Sequence, residues 1–229
     1  GNTRGTGTNG GVDASGSTSV AGVRVFRTFP TITKHTPASS VLVAQSGVEL
    51  YRFAINANAA QDLALYGLNI NIATSSVSTS NGTTTVADLK VYAYTGSDFA
   101  TGPVAGFTAG QVVETISSVN SGNNTATLSS ILPIPKGTTY YFKVTGTVAQ
   151  VAGTTGSAGT VTTKIVGDTA YPSLATTLLD TVTAIGTQNF IWSPMSTSTT
   201  AASTNQDWTN GFNVPGIASG NTDGFTLSK

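Results

Sequence analysis

The sequence predicts an all-β protein, a β-sandwich of roughly ten short strands with a flexible Gly-rich N-terminal arm. Three observations predict it. Apolar and polar residues alternate with period two over most of the chain, the pattern of a strand wet on one side. Thr (41) and Ser (24) are abundant, and β-branched residues suit strands. Strand-length runs are separated by Gly, Pro, Asn and Ser turn chemistry, with little that reads as helix.

Residues 1–19 are mostly Gly, Ser, Thr and Asn. Such a stretch is expected to be a flexible arm, leaving 20–229 as a single domain. Val23-Arg24-Val25-Phe26-Arg27 reads as the first strand, with Val23, Val25 and Arg27 on one face and Pro30 ending or edging it. Ser40–Gln45 and Val48–Asn56 follow as a strand pair, with Tyr51, Phe53 and Ile55 inward. Asp62–Thr74 continues, its Tyr66, Leu68, Ile70 and Ile72 on one face and Asn69 and Asn71 on the other.

A polar stretch with a turn at Asn81-Gly82 leads to a strand over Val86–Tyr94. Gln111–Ser117, Thr125–Ile134, Thr138–Val148, Thr160–Val166 and Asn189–Trp192 add further strands, and Phe225–Ser228 a last one. In Thr138–Val148 the residues Tyr140, Phe142, Val144 and Val148 face the core. Tyr171–Leu179 is the one helical expectation, weakened by Thr176 and Thr177. Gly153–Gly159 resembles a linker, but the strands after it are too few to close a second core.

Charged residues make up 9% of the chain and the net charge is zero, against roughly 25% charged in ordinary domains. Nothing here steers the chain toward nucleic acid or an anionic membrane surface. No apolar run approaches the roughly 18 residues of a membrane-spanning helix, so membrane insertion is not expected. There is no cysteine, hence no disulfide or thiolate site; this favours a prokaryotic exterior over a small secreted eukaryotic domain. No signal-peptide pattern is present. The chain begins Gly1-Asn2-Thr3 without an initiator Met, which fits a processed N-terminus as well as an arbitrary boundary.

His35 is the only histidine and lies in a polar connection. One His without Cys does not make a zinc site, and no G-x-S-x-G elbow accompanies it. The ten acids are scattered, with no EF-hand spacing. The reading is therefore not an enzyme, with no cofactor and no metal site; calcium held by loop carbonyls and an acid or two stays open. Gly5–Gly11 lacks the Gly-Lys-Ser/Thr of a phosphate cradle. Phe190-Ile191-Trp192 reads as core, which takes Trp192 inside. Trp208, among polar neighbours, is a candidate anchor for sugar or a second subunit. Asn81 and Asn123 match the N-glycosylation acceptor pattern.

Two stretches carry a resemblance. One is Val23-Arg24-Val25-Phe26-Arg27-Thr28-Phe29-Pro30-Thr31-Ile32 followed by Leu50-Tyr51-Arg52-Phe53; the other is Phe190-Ile191-Trp192-Ser193-Pro194 with Asp207-Trp208-Thr209-Asn210-Gly211 and the ending Thr226-Leu227-Ser228-Lys229. Together they resemble Ser/Thr-rich cell-surface β-sandwich proteins of bacteria, S-layer-like or pilin-like filament subunits. The resemblance implies an extracellular, cell-surface location and no catalytic residue. The functional expectation is a structural subunit, a homopolymer joined through strand edges or a donated strand, with Val23, Val25 and Phe26 as the subunit contact. The alternative is a carbohydrate-binding or adhesive module whose partners are surface glycans.

Overall fold

The computed structural model describes residues 25–78, 82–149, 158–174, 179–196, 198, 201–217 and 220–229. The arm over 1–19 and Val23 lie outside them.

The protein is all-β. β1 (Pro30–His35), β2 (Val48–Ala57) and β3 (Leu63–Thr74) come first. β4 (Ser76–Ser78) and β5 (Gly82–Thr83) form a separate small ribbon. β6 (Thr85–Tyr94), β7 (Gln111–Ile116), β8 (Gly122–Ile134), β9 (Thr139–Ala149) and β10 (Thr160–Val166) supply most of the remaining sheet. A single helical turn, α1 (Val182–Ile185), then precedes β11 (Phe190–Ser193), β12 (Thr209–Asn210) and β13 (Phe225–Ser228).

The strands run β1-β2-β9-β6-β7-β8-β3-β10-β13, with β11 pairing β3 and β12. Every strand pair is antiparallel. β7 and β8 join at Val113–Leu128, so the strands make one sheet, curled into a half-barrel around its apolar face. One cluster fills that hollow and draws on the chain from Ile32 to Leu227. It contains Tyr51, Phe53 and Ile55 of β2, Leu68, Ile70 and Ile72 of β3, Phe142 and Val144 of β9, and Trp192. The linker-like stretch at 153–159 therefore does not separate two cores.

Tyr66 departs from the expected face. A bulge between Leu65 and Gly67, seen in the pairing with β8, shifts the phase of β3. Leu63 and Leu65 enter the main core, as do Leu68 and Ile70 beyond the bulge. Ala64 and Tyr66 turn to the other face, where a second cluster gathers Ile185 and Trp208. Tyr140 keeps its face but is only partly buried, packed on the core from its rim.

Three elements differ from expectation. Residues 25–29 are not a strand: the ladder begins at Pro30, a position where a missing N–H is tolerated. Ser40–Gln45 is not a strand: it makes a parallel bridge, Val41 to Ser228, with Ser228 N donating to Ser40 O and Leu42 N to Ser228 O, and Gln45 O accepts from Val148 N. Residues 171–174 are irregular and 175–178 lie outside the description; the helical turn falls instead at Val182–Ile185, capped by the Thr181 hydroxyl.

Both ends of the sheet are touched by the chain's own loops. At β1, Ile32 N donates to Pro215 O and Lys34 Nζ to Gly224 O. Gly216 lets this loop approach: its φ is +96°, and a Cβ there would land on the carbonyl of Ile32. At β13 the segment 40–42 plays the same part.

Candidate functional site

The expected contact residues are placed apart. Val23 is outside the described residues. Val25 is 83% exposed. Phe26 is not a free peg, because its ring meets Trp192 edge-on in its own molecule at 5.3 Å. Burying an aromatic against the core in this way outweighs leaving it free for a partner.

Trp208 is a correction. It is 0% exposed, so it presents no platform to sugar or subunit. Its indole packs near Tyr66 at 5.6 Å, and Nε1 donates to Ala201 O. The polar residues around it are buried as well. Asp207 accepts from the Ser193 hydroxyl at 2.9 Å, and Asn210 donates to Ala170 O and Gln188 Oε1. Asp168 takes three backbone N–H groups, from Asn189, Phe190 and Gly211, at 2.8, 3.1 and 2.9 Å. These bonds tie residues 188–190, 193 and 207–211 to one another and to the connection after β10 at Asp168 and Ala170.

Asn123 is exposed on β8 and its Oδ1 accepts from Asn71 Nδ2; Asn81 is outside the described residues. His35 packs edge-on against the rings of Phe99 and Tyr141, at 5.2 and 6.0 Å, and those two rings touch each other at 5.4 Å. The Arg52 guanidinium lies over Phe99 at 4.6 Å and pairs with Glu49 at 2.7 Å. Asp98 is fully solvated, and the backbone N–H groups of Thr101 and Ala100 hold its carboxyl below the usual range. Among the described residues no three His, Cys, Asp or Glu side chains converge as a metal site would require.

The geometry that stands out is apolar. Four large apolar side chains are exposed among the described residues: Val25, Phe29 (40%), Val41 (56%) and Val43 (39%). They fall in two patches. Val25 and Phe29 border a cavity of about 380 Å³ walled by Tyr171, Trp192, Phe212 and Pro215. Val41 and Val43 border another of about 300 Å³, floored by Val48 and Leu227. Phe29 adjoins Pro30, which pairs with Ala57 at the far end of β2, while Val48 begins that strand. The two patches thus sit at opposite ends of β2, on the order of 30 Å apart at ~3.3 Å per residue. Beside the second patch, Val43 and Ala44 make no backbone hydrogen bond among the described residues.

Sequence reading missed Phe29, Val41 and Val43. The signal was there: Val41-Leu42-Val43 is apolar at every position, so a segment buried on one face must expose the other. No protein-family model matches the chain, and no curated protein matches it. Among the described residues, no helix is long and apolar enough to cross a membrane.

Proposed function

We propose that this chain is a non-catalytic structural subunit of an extracellular filament or surface layer, which assembles with copies of itself. One observation carries the reading: the exposed apolar side chains form two different patches at opposite ends of β2. Unlike patches that meet each other make a heterologous contact, and such a contact propagates unless its rotation closes a ring.

The contact is a donated strand. Val25 enters the groove of Val41, Val43, Val48 and Leu227 on the next copy. The unpaired backbone of Val43 and Ala44 offers that strand a partner. A surface of low charge, with ten acids and ten bases in the whole chain, offers little self-repulsion to close approach. We also read the two limbs of the half-barrel, β1-β2-β9-β6-β7 and β8-β3-β10-β13, as the layers of a sandwich, a scaffold rigid enough for such a polymer.

Val25→Asp and Val43→Asp test the proposal through analytical ultracentrifugation of the full chain. Each variant alone stays monomeric. A mixture of the two forms dimers and stops there, because one intact patch remains on each partner. Wild-type protein that stays monomeric at every concentration, or variants that polymerise normally, overturn the reading.

A further inference from the structure

We propose that the outer face of the sheet, at β6 and β9, carries a binding groove for a neutral saccharide. Four register shifts in three strand pairings converge there. β2 shifts register on β9 between Glu49 and Tyr51, opposite Thr145 and Val144. β6 shifts on β9 between Ala87 and Lys90, opposite Thr147 and Thr145. β6 also shifts on β7 between Leu89 and Val91 and again at Tyr92. Bulges add local twist and re-aim side chains, and they gather next to binding sites.

The result is a groove of about 410 Å³ lined by Asp88, Lys90, Tyr92, Thr115, Thr145 and Thr147, with Ser46 and Gly47 at its lip. Its volume is that of a small-ligand site. Asp88 sits on the bulge at φ +49°, a conformation that an Asp adopts at some expense of strain. That backbone carries its exposed carboxylate to the groove, within 3.2 Å of the Thr147 hydroxyl. The side chains of Lys90, Tyr92, Thr115 and Thr145 make no hydrogen bond among the described residues.

The chemistry selects the ligand. A carboxylate accepts from two neighbouring hydroxyls, an ammonium donates, three threonine hydroxyls donate or accept beside it, and one phenol ring offers an apolar face to sugar C–H groups. One negative and one positive group balance, which favours a neutral sugar. An acidic sugar or a phosphate would meet the Asp88 carboxylate beside the single cation, Lys90. The groove adjoins the Val41–Val43 patch through Gly47, but Asp88 and Tyr92 belong to it alone. It stands independently of the assembly reading.

The experiment is calorimetry and saturation-transfer NMR on the full chain with hexamers of glucose (α- and β-linked), xylose, mannose, N-acetylglucosamine and galacturonic acid. At least one neutral hexamer binds, with Kd on the order of 1 mM or tighter. Asp88→Gly weakens that binding at least ~tenfold while its melting temperature stays level or rises, because Gly relieves the positive φ. Tyr92→Ala weakens it similarly, and Thr33→Ala, on β1, leaves it unchanged. No binding of any neutral hexamer at ~10 mM overturns the proposal. So does undiminished binding by Asp88→Gly, or tighter binding of the galacturonic acid hexamer.

Discussion

Phe53→Ala measures the core directly. Phe53 is fully buried on β2, and its register partner across the ladder is Phe142 of β9. The two rings stack at 4.9 Å and 10° between planes, with Tyr51 at 6.2 Å. Removing a buried Phe ring costs about 3–5 kcal/mol, through lost transfer energy and the cavity left behind. The stacked pair adds about 0.5–1.5 kcal/mol beyond area burial. Against a total of about 5–15 kcal/mol, the single substitution removes about a fifth of the stability or more. At roughly 2–4 °C per kcal/mol, the melting temperature falls by about 6–20 °C. Urea titration gives the loss, and a cycle with Phe142→Ala isolates the pair, which should be non-additive by at least ~0.5 kcal/mol. A loss under about 1 kcal/mol for Phe53→Ala would refute the packing described for β2 and β9.

Two further outcomes follow from the same structure. Asp168→Asn replaces one acceptor oxygen by a donor that faces backbone N–H groups; about 1–3 kcal/mol should be lost in urea titration, and the 188–211 segment should exchange its amides faster. Burial pushes the Tyr51 phenol up from 10.0 to about 12, with the charge of Asp223 adding to the rise and a hydrogen bond from Thr222 opposing it. Because the folded value lies above the unfolded one, this contribution is complete below pH 10 and is lost as pH climbs toward 12; Tyr51→Phe should flatten that alkaline fall, and an unchanged fall would discount Tyr51 as its source.

Much of the fold was legible because period two is a physical signature. β2 and β9 announce their inner faces through Tyr51, Phe53, Ile55, Phe142 and Val144 at alternate positions, and those residues are core. The same rule failed at Tyr66, since a bulge costs one residue of phase and leaves only Gly67 as a trace. Trp208 misled for another reason. Polar neighbours read as solvent exposure, but Asp207 and Asn210 are paired with distant groups, and pairing across the fold is invisible along the chain. The groove at β6 and β9 was illegible for a like cause. Asp88, Thr115 and Thr147 come from three strands, and only the convergence of their bulges brings them to one hollow.

The position of β13 sets a timetable for synthesis. Tyr51 Oη donates to the carbonyl of Asp223, 172 positions later, and Lys34 reaches Gly224 across 190. Contacts of such span make folding slow. At about 5–20 residues per second, a ribosome that has just finished β2 needs roughly 10–30 s more to supply the residues that close over it. Through that interval the apolar side of β2 lacks the part of its cover that Leu227 of β13 supplies. Whatever escorts the growing polypeptide must shield that edge of the core until the 221–228 stretch emerges.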